Sequence, residues 1–282
     1  QLLSLDDCRQ IPPIPADFFK YHEVLSIKKE EAVVYATSSG TRGQKSQIYL
    51  NRDSLKLGTK MVVRAMKYHK LISVIPANYI ILGYEPQAGN TMGNVKVALG
   101  MTRFAPAKEK VFALKSLGGR YEVDYFGLLA ALRRFQKQKL PVRIFGFPAY
   151  LFFLLKAMRE AGVGPFALNR KSLILTGGGW KTHEESRIDK QKLYHVAEEM
   201  LGIPAERCRD FYSAVEHSVA YPECCRHHMH VPVFSRVIIR DVRTLKPLGF
   251  NEPGFLSFIS PLVSSMPLSS VVMGDMAVLR EG

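Results

Sequence analysis

Apolar and polar positions follow two different patterns along this chain. From Tyr125 to Tyr212, short apolar runs typical of buried strands alternate with longer stretches of helical periodicity. The pattern predicts strands at 142–147, 172–176 and 208–212, and helices at 126–138, 149–161 and 184–201. A repeated strand–helix order favours a parallel sheet with helices packed on its faces.

After about Val233 the chain changes to short strands separated by turn signals, expected at 236–241, 254–259 and 270–273. Before Tyr125, the pattern predicts a short helix at 17–22, strands at 79–83 and 111–114, and a glycine-spaced segment at 89–100. Asp53 is the expected N-cap of a helix that runs to about 69. The predicted fold class is α/β, with mixed or parallel sheets flanked by helices over 1–232 and a small antiparallel β subdomain over 233–282.

The composition is that of an ordinary globular protein, with 47% hydrophobic and 23% charged residues. No apolar run approaches the roughly 18 residues that indicate a membrane span, and the first residues lack a basic leader followed by an apolar core. The chain starts with Gln rather than Met, which fits a fragment. Four cysteines do not make a disulfide scaffold. A cytoplasmic protein is therefore expected.

The formal net charge of +14 favours an anionic partner, such as a nucleotide, a coenzyme or an acidic carrier protein. The basic residues are scattered along the chain, and no nucleic-acid motif with interleaved aromatics is present. Most of them are interpreted as a solvated surface, and nucleic acid is not expected as a partner.

The segment 37–46, TSSGTRGQKS, lies between two strand-like runs and is called the phosphate loop below. Gly40 and Gly43 let its backbone turn tightly and approach a ligand closely. Its hydroxyls and consecutive amides are suited to an anion-binding concavity. It is not the Walker pattern, which needs Gly-Lys-Ser/Thr at the start of a helix. A flexible polar hairpin turn is the alternative.

Three further loops end predicted strands, where ligands bind in open α/β sheets. The glycine loop, Gly177–Gly179, allows a flat group to lie on the backbone, or is simply a tight strand-to-helix turn. Tyr212 can stack on a base and Glu216 can hold a divalent cation, unless Glu216 only caps a helix. Asp275 can accept hydrogen bonds from ribose hydroxyls, although a Gly-Asp turn is common.

The order of these four loops resembles that of the adenylate-forming superfamily, which includes acyl-CoA synthetases, peptide-synthetase adenylation domains and luciferases. Within it, the chain is most similar to the acyl-protein synthetases of bacterial bioluminescence, with phenylacetate-CoA ligases as the neighbouring family. The segments that carry the resemblance span nearly the whole chain: FKYHEVLSI (19–27), SSGTRGQKSQIYL (38–50), GGGWK (177–181), DFYSAVEHSVAYPEC (210–224) and RDVRTLKPLGFNEPGFLSFISPL (240–262).

The resemblance implies ATP-dependent, AMP-forming activation of a carboxylic acid, expected to be a fatty acid, and transfer of the acyl group to a thiol. It implies a catalytic part for Glu216, which would also hold magnesium, and for Thr41 and Lys45. The nucleotide-binding positions it implies are Ser38, Ser39, Gly40, Thr41, Gly43, Gly177, Gly178, Gly179, Tyr212, Ser213 and Asp275. Lys45 stands one place earlier than in the family pattern, and Val215 replaces the usual Thr.

The resemblance also implies partners: a small carboxylic acid, a thiol acceptor that is a protein cysteine or coenzyme A, and an acyl-reductase. A small C-terminal lid domain with a catalytic Lys, and in the acyl-protein synthetases an acyl-accepting Cys, is expected beyond these residues. Two alternatives stay open, a phenylacetate-CoA-ligase-like enzyme acting on an aryl acid and a catalytically inactive nucleotide-binding homologue.

The run Cys224-Cys225-Arg226-His227-His228-Met229-His230 has Cys and His at a spacing usable for zinc. Cys224, Cys225, His228 and His230 are the candidate ligands of a structural zinc. A polar loop that lines the acyl pocket, or a Cys225–His230 nucleophile pair, are the alternatives.

Overall fold

The structure is a computed structural model that describes residues 8–38, 44–86, 99–117 and 120–281. The chain divides into two compact units. The first unit comprises Gln1–Ala65, Ser213–Tyr221 and Val231–Gly282, and the second comprises Met66–Tyr212 and Pro222–His230. Each unit contains its own β-sheet.

Thirteen strands and five α-helices lie wholly within the described residues. The strands are β1 Ile14–Pro15, β2 Ala32–Thr37, β3 Gln47–Asn51, β4 Ala77–Tyr84, β5 Ala107–Leu117, β6 Arg120–Val123, β7 Val142–Gly146, β8 Leu173–Gly177, β9 Cys208–Ala214, β10 His217–Pro222, β11 Arg236–Arg240, β12 Pro253–Ile259 and β13 Ser270–Val278. The helices are α1 Phe18–Tyr21, α2 Arg52–Tyr68, α3 Tyr125–Gln138, α4 Pro148–Glu160 and α5 Lys190–Leu201. Short 3₁₀ turns lie at Cys8–Gln10, Lys29–Glu31, Lys181–Ser186 and Ala205–Arg207.

The second unit has the predicted parallel sheet. Its strands run in the order β9-β8-β7-β4-β5-β6, and every neighbouring pair is parallel except β5 and β6. All five residues of β8 are buried, as expected for a parallel strand covered on both faces. The apolar faces of α3, α4 and α5 contribute Leu132, Leu154 and Leu201 to the same core.

The first unit has the predicted antiparallel strands. β12 lies between β11 and β13 and is antiparallel to both. A strand that the sequence did not predict, β1, is parallel to β13, with Ile14 opposite Val271. β2 and β3 form a separate antiparallel hairpin with Thr37 opposite Gln47. The two kinds of sheet confirm the predicted fold class.

Two helices differ from the prediction in where they begin or in which residue caps them, beyond shifts of one residue. The helix expected at 184–201 begins only at Lys190, because the Asp189 side chain accepts hydrogen bonds from the backbone N–H groups of Gln191 (2.9 Å) and Lys192 (3.1 Å) and caps it there. Asp53 is not an N-cap, since it lies inside α2. Asn51 is the N-cap instead, because its Oδ1 accepts a hydrogen bond from the Ser54 N–H at 2.9 Å.

Within the ranges that the structure describes, no helix is both long enough and apolar enough to cross a bilayer. Most of the glycine-spaced segment 89–100 lies outside the described residues.

Candidate active site

The phosphate loop connects β2 to β3, and its two ends are joined by hydrogen bonds. The Ser38 N–H donates to the Ser46 carbonyl oxygen at 3.2 Å, and the Ser46 N–H donates to Ser38 Oγ at 2.9 Å. Ser46 is fully buried, and its hydroxyl has no hydrogen-bond partner among the described residues. Among the described residues, Ser38 Oγ accepts only this bond, so its own O–H remains available there as a donor.

The other predicted residues of this loop are placed only in part. Lys45 is exposed, one residue before Ser46. The predicted nucleotide-binding residues Ser39, Gly40, Thr41 and Gly43 lie outside the described residues.

The glycine loop begins at Gly177, the last residue of β8, a strand that was predicted to end at 176. Its three glycines have different surroundings. Gly177 is buried, and a Cβ placed on it would come within 3.0 Å of three ring atoms of Phe211. Gly178 and Gly179 are exposed and have φ angles of 79° and 69°, which side-chain-bearing residues rarely adopt. Only the last two glycines therefore present an open backbone surface.

Phe211 connects the glycine loop to Tyr212. β8 and β9 pair with Gly177 opposite Phe211, and the Phe211 ring stacks on Phe145 with centroids 5.7 Å apart. Tyr212 is the next residue of β9 and is half-buried, while Ser213 is exposed. The predicted base-stacking residue thus follows directly on the ring that fills the space above Gly177.

Glu216 lies in the turn between β9 and β10 and is only 6% exposed. The alternative prediction, that Glu216 caps a helix, is wrong because the strand β10 follows Glu216. Carboxylate oxygens are ligands that magnesium prefers.

The residue after Glu216 belongs to a buried polar cluster in the first unit. His217 Nε2 is hydrogen-bonded to the Tyr221 hydroxyl at 2.7 Å, and that hydroxyl lies 2.6 Å from Ser235 Oγ. The His217 ring stacks on Phe258 with centroids 4.1 Å apart. Burial lowers the pKa of His217 from 6.5 to about 3, so the imidazole is neutral at pH 7.

We expect His217 to make the folded state sensitive to acid. As pH falls from about 6.5 towards about 3, the unfolded chain binds a proton at this position and the folded chain does not. The free energy of unfolding therefore falls, by at most about 1.4 kcal/mol per pH unit for this one group. Urea unfolding between pH 7 and 4 measures the slope.

The variant His217→Phe keeps a ring against Phe258 and removes the titrating group, so its pH slope should be shallower than that of the unaltered protein. His195→Gln, at an exposed histidine of α5, is the control and should leave the slope unchanged. Equal slopes for the unaltered protein and His217→Phe would contradict the expectation.

Asp275 lies within a strand and not after one, because β13 continues to Val278 past the predicted end at 273. The strand register places Ser257 opposite Val272 and Phe255 opposite Met276, so β13 carries extra residues between these pairs. Asp275 is in this bulge and is exposed. Bulges of this kind redirect side chains next to functional sites.

The Cys/His run forms a tight turn after β10. The N–H of Cys224 donates to the His228 carbonyl (2.9 Å), and Cys225, His228 and His230 are exposed. The His230 ring stacks against His69, a residue the sequence analysis did not select, with centroids 6.1 Å apart. Among the described residues, no three His, Cys, Asp or Glu side chains are grouped to hold a metal, so the zinc prediction receives no support.

A comparison with protein families identifies the family to which the chain belongs. Residues 3–282 match the family described as "Acyl-protein synthetase, LuxE". The chain belongs to this family. The predicted resemblance is thereby confirmed.

Curated relatives of this acyl-protein synthetase family member are similar over almost its whole length. It is 28% identical over 292 residues to the long-chain-fatty-acid–luciferin-component ligase of Vibrio harveyi, covering 98% of this chain and 71% of that protein. It is 26% identical over 281 residues to the ligase of the same name from Aliivibrio fischeri, covering 99% of this chain and 71% of that protein.

Solved structures confirm the fold of this LuxE family member. It superposes on an open conformation of 2-hydroxyisobutyryl-CoA ligase in complex with 2-HIB-AMP and CoA, with a TM-score of 0.71 and 15% identity. The match covers the entire chain and 62% of that ligase, so the chain spans less than two thirds of the solved enzyme. It also superposes on ATP-bound MatB from Rhodopseudomonas palustris (TM-score 0.55, 15% identity, 90% and 47% coverage).

Three residues that adjoin or contact segments with predicted site residues were not predicted from the sequence. Phe211 fills the space above Gly177, Ser46 closes the stem of the phosphate loop, and Glu223 hydrogen-bonds to β9. Phe211 has a signal in the sequence, since an aromatic residue directly before Tyr212 must face the opposite side of the strand. Ser46 and Glu223 have none, because their partners are known only after folding.

Proposed function

We propose that this protein activates a long-chain fatty acid with ATP as an acyl-adenylate and then transfers the acyl group to a thiol. The observation that carries the proposal is the family match over residues 3–282, together with curated relatives named as fatty-acid ligases. The order of the phosphate loop, the glycine loop, Tyr212–Glu216 and Asp275 supports it independently.

In the first step, a carboxylate oxygen of the fatty acid attacks the α-phosphorus of ATP. A new P–O bond forms, the bond to the bridging oxygen of the β-phosphate breaks, and pyrophosphate leaves. In the second step, a thiolate attacks the acyl carbon and AMP leaves. Both steps depend mainly on positioning and on stabilising charge that develops on oxygen.

The chemistry of each predicted loop suggests which part of the nucleotide it would contact. The Ser38 hydroxyl can donate to a phosphate oxygen, with Ser39, Thr41 and the loop amides as further donors and Lys45 as a cation. The exposed backbone of Gly178 and Gly179 and the ring of Tyr212 would receive the adenine, and Asp275 would accept hydrogen bonds from the ribose hydroxyls. The bulge at Asp275 supports a specialised role for this side chain.

A magnesium ion would be held by Glu216, whose carboxylate is nearly buried and supplies hard oxygen ligands. Bound there, it would supply positive charge to the phosphate oxygens. Zinc is not part of the proposal, because the Cys/His side chains of the turn after β10 do not form a ligand group.

The test is ATP–pyrophosphate exchange that depends on an added carboxylic acid, measured in the complete protein. Exchange with long-chain fatty acids is expected, and radiolabelled fatty acid should then appear on protein in a bond that hydroxylamine cleaves. Absence of exchange with any fatty or aryl acid would refute the proposed enzymatic activity and favour the alternative of an inactive nucleotide-binding homologue. Label released as acyl-CoA would instead identify a CoA ligase.

A further inference from the structure

A buried carboxylate in the second unit, Glu223, has no part in the chemistry above. Its side chain is only 1% exposed. Lys190 donates to Oε1, while the Asp210 backbone N–H (2.8 Å) and the Tyr194 hydroxyl (3.3 Å) donate to Oε2. His227 Nδ1 lies 3.6 Å from the same oxygen.

Such a carboxylate is stable only because it is paired, since burying an unpaired charge costs several kcal/mol. Its partners belong to different elements: Asp210 to β9, Lys190 and Tyr194 to the first two turns of α5, and His227 to the turn after β10. The backbone adds a further bond, from the Glu223 N–H to the Asp210 carbonyl oxygen at 2.9 Å. Glu223 therefore holds β9 to α5 at the residue two positions before Tyr212.

The contacts continue from Asp210 to the glycine loop. Asp210 Oδ1 accepts a hydrogen bond from the Phe211 N–H at 2.9 Å and lies 3.5 Å from Thr176 Oγ1, next to Gly177 in β8. The ring of Phe211 then covers Gly177. A continuous set of contacts thus joins Glu223 to both nucleotide-binding elements of the second unit, Gly177–Gly179 and Tyr212.

The charge of Glu223 also affects its neighbour. Burial, and secondly the negative charge of Glu223, raise the pKa of Asp210 from 3.8 to about 6, while Lys190 opposes this. The two carboxylates and the lysine are electrostatically coupled, so removing the charge of Glu223 would also change the pKa of Asp210.

We propose that Glu223 is a positioning residue for the nucleotide, holding β9 so that Tyr212 and the glycine loop keep a fixed mutual geometry. This inference rests on the proposed function and adds a residue that acts through others without contacting the substrate. Hydrogen bonds weaken steeply away from their preferred distance and angle, so a shift of β9 would weaken the contacts that receive the nucleotide.

The test is Glu223→Gln in the complete protein, assayed by fatty-acid-dependent ATP–pyrophosphate exchange. Glutamine has nearly the same shape, but it loses the charge that pairs with Lys190. We expect the KM for ATP to rise about tenfold, the equivalent of about 1.4 kcal/mol, with kcat and the KM for the fatty acid within about twofold. The matched control is Glu199→Gln, which removes exposed ion pairs of the same helix to Arg159 and His195 and should change none of the three constants.

A second variant, Tyr194→Phe, removes the hydroxyl that donates a hydrogen bond to Glu223 and should raise the KM for ATP about two- to threefold. This variant tests the inference if Glu223→Gln does not fold. An unchanged KM for ATP overturns the inference. An equal rise in KM for both substrates with a lower unfolding midpoint also overturns it, since that is the result of general destabilisation. Absence of exchange in the unaltered protein would instead refute the proposed function, and this inference with it.

Discussion

Glu216→Gln is expected to reduce fatty-acid-dependent ATP–pyrophosphate exchange roughly a hundredfold or more. The side chain is nearly buried in the turn between β9 and β10. Glutamine keeps the size and one oxygen ligand but removes the negative charge that a divalent cation requires. Loss of one group that stabilises developing charge typically costs about 10²–10³ in rate.

The measurement is the exchange rate as a function of magnesium concentration. Half-saturation by magnesium should move to higher concentration in Glu216→Gln, and Glu216→Asp should be intermediate because its carboxylate is retained one methylene shorter. The control is Glu184→Gln, at an exposed carboxylate paired with Arg187, which should behave as the unaltered protein does. Full activity of Glu216→Gln would refute the role in metal binding.

Gly177→Ala is expected to reduce both the stability of the protein and its affinity for ATP. The added methyl group would lie within 3.0 Å of the Phe211 ring, which is already stacked on Phe145. Overpacking of a tight core typically costs about 1–3 kcal/mol. Because Tyr212 follows Phe211 directly, displacement of the ring should also move Tyr212, and we expect the KM for ATP to rise about tenfold.

Gly83→Ala is the matched control, since Gly83 is also a strand glycine of the same sheet and its new Cβ would make an ordinary contact at 3.8 Å. It should change the free energy of unfolding by less than about 1 kcal/mol. Phe211→Leu should partly relieve the clash created by Gly177→Ala. The loss in unfolding free energy of the double variant should then be smaller than the sum of the losses in the two single variants. Strict additivity would contradict the proposed contact.

Much of the second unit could be predicted from the sequence because most elements there carry a local signal, although β6 was not predicted. The apolar run before Gly177 predicted β8, and the helical periodicity after Tyr125 predicted α3 to within one residue. In the first unit, the phosphate loop was predicted from its hydroxyls and glycines, and its place between two strands was confirmed. Burial pattern and turn chemistry depend on residues close together in the chain, so they can be read without the fold.

Element boundaries were less predictable where side chains compete to end a helix or strand. Asp53 and Asn51 both have the chemistry of an N-cap, and only the bond from the Ser54 N–H shows that Asn51 is used. The end of β13 was placed at 273 because Gly-Asp is typical of turns. The strand continues, since pairing with β12 extends across the bulge to Val278 opposite Pro253.

The sequence alone was enough for the family and the α/β fold class, because both are recognised from short segments and their order along the chain. The fold was needed to show that Gly177 is a glycine on account of Phe211, that β1 completes the sheet beside β13, and that Glu223 holds β9 to α5. Each of these depends on residues from 13 to more than 200 positions apart. Contacts over such distances are selected by close packing and by the cost of leaving a buried charge unpaired, and neither leaves a periodic trace in the sequence.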